Sequence, residues 1–391
     1  MVEGRRDGGG AGRIRLGMVG GGEGAFIGAV HRIAARLDDH YILVAGALAA
    51  TPEKAQRSGA ALGLDPARIY DDYKAMARRE ARLKDGIEAV AIVTPNHLHA
   101  AVAEPFLKAG IHVICDKPLT TTLKDALRLE RLVRDSGLIF AVTHNYTGYP
   151  MVRHARAMVA AGEIGKVRIV QVEYAQDWLT SRLEETGQKQ AGWRTDPSRA
   201  GAGGCIGDIG THAYNLADYV TGLTATALCA ELTRFVPGRA LDDNVAIMLR
   251  YENGARGQLW ASQVAPGNEN ALRIRIYGEK GGLDWCQEQP NQLRWSPFGE
   301  ATRVISRATG AANAAAARVT RIPAGHPEGY LEGFATVYSE IAEAIRAARS
   351  GAKQPAECHF PTVSDGVKGV AFIEAAVKSS KAGGLWTALP R

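Results

Sequence analysis

Apolar positions along residues 1–145 fall into two alternating patterns. Short runs dense in Ile, Val, Leu and Ala fit strands buried on both faces. Between them lie segments whose apolar residues recur every three to four positions, as on a helix with one buried face. The runs are Arg13 to Gly20 (RIRLGMVG), Tyr41 to Leu48, Ala89 to Thr94 (AVAIVT), Ile111 to Cys115 and Leu138 to Thr143. The helical segments are Gly28 to Leu37, Pro52 to Leu62, Leu98 to Ala109 and Leu123 to Ser136. Thr51 and Pro52 suit the N-cap and first position of the second helix, and Gly110 and Gly137 stop the third and fourth. Five strands alternating with four helices predict a parallel sheet with right-handed crossovers and helices on both faces.

After Asn145 the rhythm changes. Pro150 to Ala161 has helical spacing, and longer runs with period-two alternation follow: Val167 to Tyr174, Val245 to Tyr251, Ala255 to Ser262 and Leu272 to Gly278. Glycine turns such as Asn253-Gly254 separate several of them. This predicts a second α/β domain with an open, mostly antiparallel sheet. Residues 301–320, rich in Ala, Arg and Thr, read as a mobile excursion, and Glu328 to Arg349 and Val363 to Lys381 read as late helices. The expected organisation is a disordered leader at 1–12, a doubly wound parallel domain at 13–145 and an α/β domain at 146–391, its last helix packing back on the first domain.

A length of 391 residues suits two domains, since single cores rarely grow past about 250 residues. No run approaches the ~18 apolar residues of a membrane helix. The N-terminal MVEGRRDGGGAGR lacks an apolar signal core, so a cytoplasmic location is expected and a membrane partner is not. Net charge is +6, with Lys and Arg scattered rather than blocked, which argues against nucleic acid and suits a small anionic ligand. Cys115, Cys205, Cys229, Cys286 and Cys358 are far apart, with no paired spacing, so neither a zinc site nor a disulfide framework is expected.

Three stretches carry chemistry. The first, Gly20-Gly21-Gly22-Glu23-Gly24-Ala25-Phe26-Ile27-Gly28, lies between the first strand and first helix. Glycines there let the backbone approach a pyrophosphate, and the helix N-terminus offers free N–H groups and a positive dipole end. In this strand–turn–helix context it marks a Rossmann-type dinucleotide site, with Gly20, Gly22, Glu23, Gly24, Ala25, Phe26 and Ile27 against a nicotinamide cofactor. The second strand ends Ala47-Leu48-Ala49-Ala50-Thr51, without the acid that selects NAD, while Lys54 and Arg57 are near. NAD is favoured, with NADP left open.

The second set is the strand ends that border the ligand crevice of such sheets. They read Thr94-Pro95-Asn96-His97-Leu98-His99, Asp116-Lys117-Pro118 and His144-Asn145-Tyr146. Thr94, Asn96, His99, Asp116, Lys117 and Asn145 are cofactor-binding candidates. Lys117 could polarise a substrate hydroxyl beside a nicotinamide. The third is Gly203-Gly204-Cys205-Ile206-Gly207-Asp208-Ile209-Gly210-Thr211-His212, ahead of an apolar-periodic segment. Asp208 and His212 are four apart and share a face on a regular helix, an arrangement that can move a proton. No third ligand is in view, so a metal is not expected.

Together these motifs resemble the Gfo/Idh/MocA oxidoreductases over nearly the whole chain. The usual Glu-Lys-Pro strand end is Asp116-Lys117-Pro118 here. The resemblance implies hydride transfer between NAD(P) and a hydroxyl-bearing carbon of a sugar, sugar acid or cyclitol. Lys117, Asp208 and His212 would be catalytic, His212 as base, Lys117 assisting and Asp208 orienting. It also places Trp193 and Arg194 at the cofactor, and makes the open sheet the face of a homodimer or homotetramer. Lys117, Tyr146, Trp178, Arg194, Asp208, His212 and His326 would meet a carbohydrate, and Arg with Lys would suit an acidic substituent. Some relatives oxidise C3 only transiently, eliminate the anomeric substituent and return the hydride. Gln176, Asp177 and Lys189, further polar residues near the sugar site, keep that redox-neutral glycosidase as the alternative.

Overall fold

The computed structural model describes residues 12–390, so the leader expected at 1–12 lies, apart from Gly12, outside the described residues. The first sheet is built by β1 (Ile14–Gly20), β2 (Tyr41–Ala47), β3 (Ala89–Val93), β4 (His112–Cys115) and β5 (Phe140–Val142). Its helices are α1 (Phe26–Leu37), α2 (Pro52–Ala61), α3 (Tyr73–Glu80), α4 (His99–Lys108) and α5 (Leu123–Ser136). All pairings are parallel, in the order β2-β1-β3-β4-β5. The chain leaves β1 first to one side and then to the other, which opens a crevice beyond the strand ends between β1 and β3. Every residue of β3 is buried, which is why its sequence is a continuous apolar run. The sequence reading missed α3 (YKAMARRE), whose apolar stripe is short. Its start is fixed instead by Asp72, whose carboxylate accepts the amides of Lys74 and Ala75.

The second part contains α6 (Pro150–Ala160), β6 (Val167–Ala175), α7 (Lys189–Arg194), α8 (Pro197–Ala200) and α9 (Thr211–Thr221). Then follow β7 (Ala225–Thr233), β8 (Asn244–Tyr251), β9 (Arg256–Ser262), β10 (Ala271–Gly278), β11 (Gly281–Cys286), β12 (Gln292–Pro297) and β13 (Arg303–Ser306). The chain closes with α10 (Ala314–Arg318), α11 (Tyr330–Arg349), α12 (Val363–Lys381) and β14 (Thr387–Ala388). The nine strands run β13-β12-β11-β10-β6-β9-β8-β7-β14, antiparallel except where β6 pairs with β9. In β8 buried and outward residues alternate strictly, so one face packs on helices and the other stays open. Residues 301–320 are not a loose excursion. They pair β13 with β12, and Asn313 caps α10 through the Ala316 amide while its own amide meets His154 Nδ1.

Two C-terminal helices tie the sheets together. From α11, Phe334, Tyr338, Ile341 and Ile345 enter the first sheet's core beside Ile14, Leu16, Val30 and Tyr41. Buried His31 Nδ1 lies 2.8 Å from the Tyr338 hydroxyl. From α12, Phe372, Ile373 and Ala376 join the second core, whereas Val363 and Val370 join the first. Just ahead of α12, Pro361 O accepts the Val142 amide at 2.9 Å, covering the free edge of β5. No helix among the described residues is long and apolar enough to cross a membrane.

Between α6 and α11, Arg153 meets Glu340 through two hydrogen bonds of 2.8 and 2.9 Å, with side chains 3% and 1% exposed. Arg318 and the His359 amide also donate to Glu340. Removing this carboxylate strands a buried guanidinium, so Glu340→Ala should lower stability by about 3–5 kcal/mol. The shift of the urea midpoint measures this, and a change below about 1 kcal/mol would show that the pair contributes nothing beyond an exposed one.

Candidate active site

Gly20, Gly21 and Gly24 hold φ of 80°, 71° and 75°, the left-handed region that glycine reaches without strain. A Cβ at Gly28 would lie 2.4 Å from Gly21 Cα, so the first turn of α1 presses directly on the loop. Arg32 Nη1 donates to Gly21 O at 2.7 Å and steadies it. Ala25 caps α1 without any side-chain hydrogen bond, and nothing approaches the position of a Gly24 Cβ within 4 Å. The first-turn amides of α1 thus lack a side-chain acceptor and carry the positive dipole end, a setting for a diphosphate. Ile27 is half-buried, and Glu23 and Phe26 are exposed. The Glu23 amide donates to Ser58 Oγ at 3.1 Å and Arg57 lies 3.7 Å from the Glu23 carboxylate.

At the strand ends, Thr94 Oγ1 and Asn145 Nδ2 are buried without a hydrogen-bond partner. Such orphaned atoms cost about 1–3 kcal/mol each until a ligand or water completes them. With the glycine turn, they fit a dinucleotide laid across this crevice. Asp116 Oδ1 accepts from the Lys117 amide and Thr143 Oγ1, and Asn96 Nδ2 donates to Ala200 O at 3.2 Å. His99 departs from expectation. It is fully buried, with its ring nitrogens 2.8 Å from Pro118 O and 2.9 Å from Thr94 O; burial lowers its pKa, so the neutral ring donates its one N–H to one of these carbonyls, and both nitrogens face protein rather than the crevice.

Lys117, followed by a cis peptide to Pro118, reaches from β4 to the segment ahead of α9. Its Nζ donates to Asp208 O at 2.6 Å and to Asp208 Oδ1 at 2.9 Å. Asp208 Oδ2 accepts from Arg194 Nε at 3.1 Å and Gln263 Nε2 at 2.9 Å. Burial pushes the Asp208 carboxyl up, but Lys117 and Arg194 more than offset it and hold it well below the usual carboxylate range. The expected role of Asp208 in orienting His212 is corrected here. Ile206–Gly210 forms a wide π-type turn, which breaks the i, i+4 register of a regular helix. The carboxylate goes to Lys117, Arg194 and Gln263, with no hydrogen bond to the imidazole.

His212, 7% exposed, packs edge-on against His144 and Tyr146 at centroid distances of 5.3 and 4.9 Å. Burial, and then the Lys117 charge, push His212 well below the ordinary histidine value; the same two causes push His144 down to about 4. Both rings are therefore neutral at pH 7, and Nδ1 of each is buried without a partner. The Tyr146 hydroxyl lies 2.6 Å from that of Tyr174, which donates to Asn270 Oδ1 at 2.7 Å. Gln176 Nε2 reaches the same oxygen at 2.7 Å, and Trp178 Nε1 donates to Gln176 Oε1 at 3.0 Å.

Lys117, Asp208, His212, Arg194 and Tyr146 thus converge, and Trp178 joins through Gln176. Trp193 stacks with Arg194, the guanidinium 4.4 Å from its ring centre. His326 stands apart on an exposed loop: its carbonyl accepts from Arg307, and its ring forms no hydrogen bond with the cluster. Sequence reasoning missed Gln263, Tyr174 and Asn270, because a polar residue near the end of an alternating strand carries no local mark of facing a cleft. Among the described residues no group of three or more His, Cys, Asp or Glu is placed to hold a metal ion.

Comparison with known proteins gives a consistent result. Residues 14–144 match the model described as "Oxidoreductase family, NAD-binding Rossmann fold", and residues 152–284 match "GFO/IDH/MocA C-terminal domain". A crystal structure of an oxidoreductase from Sinorhizobium meliloti is 58% identical, covers 96% of this chain and 99% of its own, and superposes with a TM-score of 0.88. An inositol dehydrogenase homologue from Azotobacter vinelandii, complexed with NADH and myo-inositol, is 37% identical over 97% of this chain and 98% of its own, TM-score 0.90. Levoglucosan dehydrogenase of Pseudarthrobacter phenanthrenivorans is 29% identical over 72% of this chain and 75% of its own. The first sheet is accordingly an NAD-binding domain.

The contact between Gly28 and the glycine turn yields a test. In Gly28→Ala the new methyl must push α1 off Gly21, so NADH affinity by fluorescence titration should fall at least tenfold, about 1.4 kcal/mol. An unchanged Kd would place the diphosphate elsewhere.

Proposed function

The chain belongs to the GFO/IDH/MocA oxidoreductases, and on that footing we propose that it oxidises a ring hydroxyl of a neutral cyclitol or sugar. The carrying observation is the convergence of the Lys117 ammonium, bonded to Asp208, with an imidazole at His212 that is neutral and has an unpartnered buried nitrogen. In this reading residues 14–144 hold the cofactor and the second part supplies the substrate contacts. NAD, when bound, supplies the hydride acceptor. His212 takes the hydroxyl proton, and the Lys117 ammonium stabilises the oxygen as negative charge develops on it. Asp208, itself held by Arg194 and Gln263, fixes Lys117 in place. Tyr146, Tyr174, Asn270 and Gln176 form a polar wall suited to further hydroxyls, with Trp178 at its edge.

The neutral substrate follows from how the cations are used. Lys117 and Arg194 both already bond to Asp208, so a substrate carboxylate finds no cation without a partner among these two. Myo-inositol, bound in the inositol dehydrogenase homologue, and levoglucosan, for which the other relative described above is named, are neutral polyols. We also infer that a second copy covers the open face of the nine-stranded sheet. Ile169, Met248, Trp260 and Tyr277 are all at least 38% exposed there, and Met248 and Trp260 line a groove of about 530 Å³.

Incubation with NAD and a panel of cyclitols, anhydrosugars and sugar acids should give NADH with a neutral member of the panel. Release of an aglycone from a glycoside without NADH formation would overturn this in favour of the redox-neutral route. His212→Ala should lower kcat by about 10²–10⁴, the usual worth of a positioned acid–base group, while NADH binding stays intact. Wild-type turnover in that variant removes His212 from the chemistry. For the sheet face, Met248→Glu with Trp260→Glu should shift the sedimenting species to a smaller assembly, and an unchanged mass places the interface elsewhere.

A further inference from the structure

Ahead of β8 lie two consecutive aspartates, Asp242 and Asp243, 7% and 0% exposed, outside the cluster described above. Asp242 Oδ1 accepts the Gly204 amide at 2.7 Å, its Oδ2 accepts the Ile206 amide at 2.8 Å, and its carbonyl accepts the Cys205 amide at 2.9 Å. Three successive N–H groups therefore end on one residue. They belong to the turn that leads into Asp208 and α9, where no side chain within the segment caps the helix. The approach is so close that a Cβ at Gly204 would lie 2.3 Å from Asp242 O, which accounts for glycine at that position. Asp243 works on the other side of the site. Its carboxylate accepts the amides of Phe235 and Val236 and a bond from Arg239, and Arg239 holds the carbonyls of Leu179 and Ser181 and the carboxylate of Glu184. The Asp243 carbonyl accepts the amide of Gln263, whose side chain reaches Asp208.

We propose that Asp242 is a positioning residue for the reaction: by accepting the amides of Gly204 and Ile206 it fixes the turn that presents Asp208 to Lys117 and sets the start of α9, which carries His212. The kinetic part of this inference rests on the dehydrogenase reading; the structural part does not. Among the described residues no Lys, Arg or His pairs with the Asp242 carboxylate. The titratable groups that act on or near it are Asp243, the buried Cys205 thiol and, through the turn, Asp208. Burial therefore pushes its carboxyl up to about 6, against the pull of the Ile206 and Gly204 amides. Because the closed turn raises this carboxyl above its solvated value, the closed turn binds the proton more tightly than an opened one. Protonation therefore favours the closed turn below about pH 6, and that contribution is lost as pH rises through it. His212 and His144 are already neutral across that interval, so neither produces this change.

Asp242→Asn tests it, since it keeps the shape but aims an NH2 group at one of the two amides. Hydrogen–deuterium exchange is followed over peptides spanning 204–212, corrected for intrinsic rates, from pH 5 to 8, and needs no substrate. Protection at Gly204 to Ile206 should fall by about tenfold, 1.4 kcal/mol, with peptides of the NAD-binding sheet unchanged. Wild-type protection, after correction for intrinsic rates, should itself decline as pH rises through about 6, and the variant should lack that step. With the polyol that the wild type oxidises, kcat should fall by about tenfold or more, with KM and NADH affinity within about threefold. Unchanged protection at 204–206 overturns the proposal, and so does lost protection with full kcat. Should the Asn variant not fold, Gly204→Ala moves the same turn with Asp242 intact and is judged by the same readouts. Should the wild type oxidise no polyol, the dehydrogenase reading fails, and the exchange data still decide whether Asp242 holds the turn.

Discussion

The contact between Lys117 and Asp208 joins the end of a Rossmann strand to the glycine-rich turn of the second sheet's helical layer, across 91 residues of sequence. Withdrawing an ammonium and a carboxylate from water costs several kcal/mol per ion, and such a pair is tolerated only with good geometry and further hydrogen bonds. Both conditions are met. Lys117 bonds a carboxylate oxygen and a carbonyl of the same residue, and the second carboxylate oxygen is filled by Arg194 and Gln263. Four segments of chain are thereby drawn to one point: the end of β4, the α7 segment, the turn before α9 and the end of β9. Neither sheet alone could assemble that set.

Much of this was legible in the sequence because it is local. A strand, a glycine turn and a helix form one contiguous stretch, and the strand ends at Thr94, Asp116 and His144 are marked by the break from apolar to polar residues. The non-local part was not legible. Asp208 and His212 are four apart, and regular helical geometry pairs them; the wide turn at Ile206–Gly210 separates their tasks, and nothing in the residue types announces it. His99 looked like a ligand because it sits at a strand end, but its two ring nitrogens face the carbonyls of Thr94 and Pro118. His326 was expected to meet the substrate; its carbonyl is tied to Arg307, and its exposed ring makes no hydrogen bond with the cluster. β7 and β11 escaped notice because ATALCAELT and GGLDWC do not alternate cleanly, and α3 because its helical start is written in Asp72 rather than in an apolar stripe.

The supporting shell repeats one device. Buried polar residues gather backbone groups from distant segments: Asp242 takes three amides of the turn before α9, two on its carboxylate and one on its carbonyl, Arg239 takes two carbonyls of the segment after β6, and Arg307 takes carbonyls of the loop before α11. Long loops would otherwise leave these groups unsatisfied where water is excluded. Each such charge converts a loop into a fixed surface without requiring regular secondary structure. This is how functional side chains from irregular segments come to share a geometry as defined as that of strand ends.

The same charges set the proton chemistry of the proposed reaction. Moving a proton from a neutral hydroxyl to neutral His212 creates an oxyanion and an imidazolium side by side. The Lys117 charge favours the first and opposes the second, so by itself it leaves the transfer nearly balanced while making the imidazole a weak base. Asp208 acts on His212 in the opposite sense to Lys117, and its hydrogen bond holds the ammonium in place. Holding the carboxylate off the imidazole is therefore not a loss relative to an aspartate–histidine dyad. A dyad would raise the basicity of His212 and draw it into the charged state at neutral pH, whereas here the ring stays ready to accept a proton.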